Sequence, residues 1–242
     1  MDRQERNAQF VRALMDLRSL ILKGTFESGC RLAETAIADR LGLSRTPLRQ
    51  AMDRLVDEGL LERIETGGCR VASFTLDDIK DAIELRGVLE GTAARLAAER
   101  SMVPEIGAQM EKTLDLLDEA VRPDHLNFRA YVRLNEQFHD CLARLAGSAI
   151  VAREVDRASR LPAASPTAFL QGQELIPDFR ASLRRAQLQH RMIFEAIKAR
   201  EGSRAEALAR EHARLALNNL SYVTVEAPGL AEQVPGLALI TD

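Results

Sequence analysis

Apolar residues return at steps of three and four along most of this chain, as in Phe10, Leu14, Leu17 and Ile21 near its start and Ile79, Ala82, Ile83 and Ala93 farther on. That spacing gathers an apolar stripe on one side of a helix, whereas a strand-built protein needs a period of two. Aromatic residues make up only 4% and Trp is absent, which also disfavours a sheet-based core. The expected class is mainly α, and 242 residues are enough for two modest domains.

Several function classes drop out early. Cys30, Cys69 and Cys141 are odd in number and include no CxxC pair, so neither a disulfide framework nor a Cys-based zinc knuckle is expected. No apolar run approaches the ~18 residues of a membrane span, and the opening "MDRQERNAQF" lacks a signal core. A cytoplasmic protein with no membrane partner is expected. The formal net charge is -3, but residues 1–75 carry 12 Lys and Arg against 11 Asp and Glu, so the acidity belongs to the remainder. The first third is free to present a basic face.

In that first third, the stripe ending at Ile21 and the following Gly24 predict a helix closing near Lys23. A second helix is expected over Glu34–Leu41, then the turn "GLS", then a third from Arg45 with Leu48, Ala51, Met52 and Leu55 on its buried side. Ser44 is a fitting N-cap, and Pro47 is tolerated within the first turn. Arg45, Thr46 and Arg49 are left at the exposed helix start, where free N–H groups suit a phosphate and an Arg can grip a phosphate or guanine. Beyond Gly59, short strands near Leu61–Ile64 and Arg70–Ser73 flank Gly67 and Gly68, which makes a wing with Arg63 and Arg70 available for phosphates.

The run "RLAETAIADRLGLSRTPLRQAMDRLVDEGLLERIETGGCRVASF" resembles the winged helix-turn-helix domain of GntR-family transcription regulators. The resemblance implies that Ser44, Arg45, Thr46, Arg49 and the wing glycine Gly68 lie at the DNA. Thr35 stands where many members place a DNA-contacting Arg or Lys, and Ala33 replaces their usual Ser cap.

From Leu76 onward six helices are expected: to about Arg100, Pro104 to about Val121, Leu126–Ala146, Ser148 to about Leu161, Pro177–Arg200 and Arg204–Val223. They read as an antiparallel bundle. The ending "EAPGLAEQVPGLALITD" has no helical period and reads as a loosely attached strap or a disordered tail.

Polar residues interrupt the bundle's apolar stripes. Asn135 and His139 lie in the series Phe128, Val132, Asn135, His139, Leu142, Ala146; His190 lies between Ala186 and Ile193; His212 lies between Leu208 and Leu215. A single inward His is ordinarily a satisfied core residue. Three on different helices, with Asn135 one turn before the first, instead match a divalent-metal site with open positions for a ligand. Arg86 also faces inward. It either pairs with Glu90 one turn on, or uses its planar fork to hold an organic carboxylate, with Asn219 as a further polar contact.

The segments "ELRGVLEGTAARLAAE", "NEQFHDCLARLAG", "QHRMIFEAIKAR" and "REHARLAL" are similar to the FCD ligand-binding domain of the FadR branch of GntR regulators. That resemblance implies a metal held by Asn135, His139, His190 and His212 beside the effector, with zinc or nickel matching the imidazoles. The organisation expected is 1–74 winged helix-turn-helix, 75–224 helical effector-binding and dimerisation domain, and 225–242 tail. The function expected is a homodimeric regulator, a repressor, that binds operator DNA and releases it when a small acid is sensed, with Val71–Asp77 as the joint. Two alternatives stand beside it: a metal-dependent enzyme using the three His, and a DNA-binding protein with no effector. "NEQFH" lacks the first His of HExxH, and no carboxylate is clearly placed as a base.

Overall fold

Thr75 opens the longest helix through a reciprocal cap: its Oγ1 accepts from the Asp78 N–H (3.1 Å), while the Asp78 carboxylate accepts from Thr75 N and Oγ1 (both 2.7 Å). A computed structural model describes residues 3–168, 179–226, 229, 234 and 236–241. Its contacts divide the chain into two compact units, Met1–Ile79 with Pro235–Asp242, and Lys80–Val234.

The first unit contains α1 (Arg3–Leu22), β1 (Arg31–Leu32), α2 (Glu34–Leu41), α3 (Arg45–Asp57), β2 (Leu61–Arg63) and β3 (Cys69–Val71). Leu17, Ile21, Ile37, Leu48, Leu55 and Val71 form its core, as the apolar spacing requires. Ser44 has the extended backbone of an N-cap, yet its side chain makes no capping hydrogen bond. The wing turn needs left-handed backbone at two successive residues, Gly67 (φ +94°) and Gly68 (φ +88°), which side-chain-bearing residues rarely adopt.

Two differences from the sequence reading concern this unit. The sheet has three strands in the order β1-β3-β2, because Arg31–Leu32 pairs antiparallel with Cys69–Arg70. The chain end, expected to be loose, is docked over its described residues. Leu239 is fully buried in the winged-helix core, Phe74 N donates to Leu239 O (3.1 Å), Thr241 N to Phe74 O (2.9 Å) and Gly236 N to Leu22 O (2.9 Å). Gly24 permits this approach: a Cβ there would lie 2.6 Å from the Ala238 Cβ. Residues 236–241, with no period of their own, are ordered by the groove they fill.

The second unit is built from α4 (Leu76–Arg100), α5 (Pro104–Ala120), α6 (Phe128–Arg144), α7 (Ala149–Ser159), α8 (Phe179–Lys198) and α9 (Gly202–Ser221), where α4 begins in the first unit. The side chain of Asn127 caps α6 and that of Ser148 caps α7, which fixes both starts. The expected opening of the fifth helix at Pro177 lies outside the described residues. Leu114, Leu117, Tyr131, Phe138, Ile193 and Ile197 make up much of the core, and no helix among the described residues is long and apolar enough to cross a membrane.

Candidate metal, effector and DNA-contacting sites

The three inward histidines meet. His139 on α6, His190 on α8 and His212 on α9 are all buried, and one ring nitrogen from each lies within 4.8 Å of the others. Every ring spends Nδ1 on an outer partner: His139 on Glu90 Oε1 (2.8 Å), His190 on Gln187 Oε1 (3.1 Å) and His212 on Gln189 Oε1 (3.0 Å). The Glu90 carboxylate only accepts, so His139 carries a hydrogen on Nδ1, whereas the tautomers of His190 and His212 follow the orientation of the two glutamine amides. His190 Nε2 and His212 Nε2 then face each other at 3.0 Å.

The electrostatics disfavour a charge on His190 and His212. Burial first, then the neighbouring His212 and His139, hold His190 well below the ordinary imidazole value. Burial and His139 likewise outweigh the attraction of Glu90 and push His212 down to about 3. Burial alone would raise the Glu90 carboxyl, but His139 and Arg86 beside it prevail and lower it to about 2.

Arg86 is 2% exposed, and among the described residues its Nε and Nη1 have no hydrogen-bond partner; neither does Glu90 Oε2. The nearest approach of the two groups is 3.7 Å, too long for a hydrogen bond. Glu90 thus gives its close contact to His139 and leaves most of the guanidinium free. Arg86, Asn135, His139, His212 and Asn219 line one cavity of about 50 Å³. Asn135 donates from Nδ2 to Pro166 O (3.2 Å). His190 is not among the described residues that line it. Tyr131 and Ser182, which the sequence reading passed over, line it too.

On the first unit, Ser44, Arg45, Thr46 and Arg49 are exposed at the start of α3, and Gly68 and Arg70 at the wing. Among the described residues Arg45 makes no ion pair or hydrogen bond, whereas Arg49 pairs with Glu34 (2.6 Å), Arg63 with Asp53 (2.9 Å) and Arg70 with Glu62 (2.7 Å). Arg31, on the strand missed from sequence, reaches the wing and donates from Nη2 to Gly67 O (2.9 Å).

Comparison with known proteins agrees with this division. Residues 11–71 match the family model described as bacterial regulatory proteins, gntR family, and residues 81–215 match that of the FCD domain. The chain belongs to the GntR family. The HTH-type transcriptional regulator YdhC of Bacillus subtilis (strain 168) is 28% identical over 212 residues, 87% of this chain and 90% of the relative. The HTH-type transcriptional repressor GlaR of Escherichia coli (strain K12) is 26% identical over 198 residues, 81% and 88% of the two chains. The solved structure of E. coli McbR/YncC has the same fold, with a TM-score of 0.64 and 21% identity, covering 89% of this chain and 98% of that one. GntR proteins of this kind are transcription regulators, so the enzyme alternative falls. The GntR domain implies binding to DNA, and the FCD domain implies a small-molecule effector.

Three site residues escaped the sequence reading in their actual roles. Glu90 was weighed only as a partner for Arg86, while Gln187 and Gln189 went unremarked although each lies within three residues of His190. A polar residue beside an inward His was the available signal.

Proposed function

We propose that this protein is a homodimeric cytoplasmic repressor that holds operator DNA through the start of α3 and the wing, and that releases it when a small organic acid enters the bundle with the help of a divalent ion. Ser44, Arg45, Thr46, Arg49, Gly68 and Arg70 form the DNA face. The observation that carries the sensing half is the approach of His190 Nε2 and His212 Nε2 to 3.0 Å beside a cavity lined by Arg86, whose buried Nε and Nη1 have no hydrogen-bond partner among the described residues.

His190 Nε2 and His212 Nε2 approach to 3.0 Å with His139 beside them, close enough for one cation to be shared by the imidazoles. The donor set therefore fits a metal. His139, His190 and His212 would hold it, with the amide oxygen of Asn135 as a further ligand, and imidazoles favour zinc or nickel over magnesium or calcium. Bound there, the ion supplies a Lewis-acidic position for a carboxylate oxygen. Arg86 provides the fork for the same carboxylate, Asn219 a polar contact, and Glu90 orients His139. An acid that satisfies Arg86 better in one arrangement of the protein than in another shifts the balance between them, and roughly 1–3 kcal/mol of differential affinity is enough to regulate DNA binding.

Native mass spectrometry of the purified protein beside a His139→Ala/His190→Ala variant tests the metal and the dimer together. One zinc or nickel per chain in a dimer, absent from the variant, is the expected result; a metal-free dimer that takes up neither ion would sink the metal half. Operator titrations with Arg45→Ala and Arg49→Ala test the other half, since both are expected to lower affinity without altering the unfolding of the bundle.

A further inference from the structure

We propose that Gln187 is a positioning residue for this metal site, fixing the tautomer of His190 through a relay that starts on the protein surface; the inference rests on the metal reading above. Gln187 is 2% exposed. Its Nε2 donates to Leu114 O (3.1 Å) and to Asp118 Oδ1 (2.7 Å), both on α5. A flipped amide would press Oε1 against a carbonyl and a carboxylate, neither of which can donate, so the amide has one orientation.

That orientation leaves Oε1 facing His190 Nδ1 at 3.1 Å as an obligate acceptor. His190 must therefore carry its hydrogen on Nδ1 and keep Nε2 bare, aimed toward His212. A free imidazole divides itself between two tautomers, and only one of them can ligate through Nε2. Gln187 removes the other. Asp118 is in turn held by Arg191, whose Nε donates to Asp118 Oδ2 (2.9 Å) and whose Nη2 donates to Asp115 Oδ1 (2.6 Å). The ordering thus runs Arg191, Asp118, Gln187, His190, from a solvated ion pair to a fully buried ring.

Gln189 provides an internal contrast. Its Oε1 faces His212 Nδ1 at 3.0 Å, and with no second partner among the described residues nothing forbids its amide from turning. His212 is consequently steered less firmly than His190.

The test is zinc affinity, measured by competition with a chromogenic chelator on full-length protein first stripped of metal, for wild type, Gln187→Met and Gln189→Met. Gln187→Met is expected to weaken zinc binding by about 10–100-fold, and Gln189→Met by less. Nitrogen-15 shifts of His190 in the zinc-free proteins give a second readout: Nδ1–H alone in wild type, and a mixture of tautomers in Gln187→Met. Zinc affinity equal to wild type, or a single Nδ1–H tautomer retained in Gln187→Met, would overturn the assignment. Should Gln187→Met fail to fold, Asp118→Ala releases the same amide from a half-exposed position; it should lose zinc affinity several-fold, and an unchanged affinity would equally overturn the relay. Wild type that binds neither zinc nor nickel would defeat the metal reading itself, a result distinct from a variant that binds as wild type does.

Discussion

Each unit buries a carboxylate against arginine, and the two pairs differ in how they are finished. In the winged-helix unit Glu58 is 3% exposed and accepts from Arg18 at 2.7, 2.9 and 3.1 Å and from Arg54 at 3.0 Å. In the bundle Glu90 and Arg86 are as deeply buried, yet stand 3.7 Å apart, and three of their polar atoms have no hydrogen-bond partner among the described residues. A closed pair satisfies its own charges and ties α1 to the end of α3. An open pair keeps hydrogen-bonding capacity in reserve at an energetic cost, because a buried polar group without a partner destabilises the fold by about 1–3 kcal/mol. The bundle tolerates that cost where a ligand can offset it, and the open atoms of Arg86 belong to the residue that lines the cavity beside the histidines.

The sharpest way to break this comparison is to remove each carboxylate. Glu90→Ala leaves Arg86 buried with no counter-charge and His139 Nδ1 without its acceptor, and should cost about 3–5 kcal/mol. Glu58→Ala should cost much less, because the side chains of Arg18 and Arg54 retain 20% and 45% exposure and can turn to water. Arg86→Met removes the unsatisfied donors but leaves Glu90 with His139 alone, so it should cost less than Glu90→Ala while abolishing the response of operator binding to acids. Denaturant unfolding of the full chains gives all three values. Equal losses for Glu58→Ala and Glu90→Ala would erase the distinction between a closed and an open pair.

A smaller effect is expected from the chain end. Leu239 has no exposed surface in the core of the first unit, so Leu239→Ala should destabilise that unit by about 2–3 kcal/mol through lost burial and the cavity left behind. Hydrogen exchange should rise across α1 and β3 and stay unchanged in α8 and α9. Unchanged exchange in α1 would mean that the end segment covers the unit without supporting it.

What could be read from the sequence follows the range of the interactions involved. Helix α2 and the start of α4 are set by local spacing and caps, and both fall where Gly42, Thr75 and the apolar period place them. The inward histidines were legible for the same reason, since a 4-3-4 spacing fixes a direction whatever lies opposite. Strand β1 was not legible: two residues carry no period, and Arg31–Leu32 is a strand only because β3 lies beside it. The docked tail fails the same way, through a groove built from residues about 200 positions earlier. At the site, the residue types were visible but their partners were not. Whether Glu90 bonds Arg86 or His139 depends on a contact 49 residues away, which no spacing within α4 encodes.

The least of the expected effects concerns the wing, where the same contrast between satisfied and open charge appears on the surface. Arg70 is matched by Glu62 across β3 and β2, so the pair contributes little net charge toward a phosphate. Arg31 faces Arg70 in register on the other side, and its hydrogen bond goes to a neutral carbonyl at Gly67, beside Gly68. It keeps its full charge at the wing turn, in a domain where Thr35 supplies none. Removing a phosphate-contacting cation lowers the slope of log affinity against log salt by about one unit. Arg31→Ala should therefore flatten the salt dependence of operator binding by about one unit, whereas Glu62→Ala/Arg70→Ala, which deletes a neutral pair, should leave the slope nearly unchanged. A full unit lost in the double variant and none in Arg31→Ala would show that Arg70 leaves Glu62 for the DNA, and that surface pairing in the free protein does not decide which wing arginine reaches the backbone.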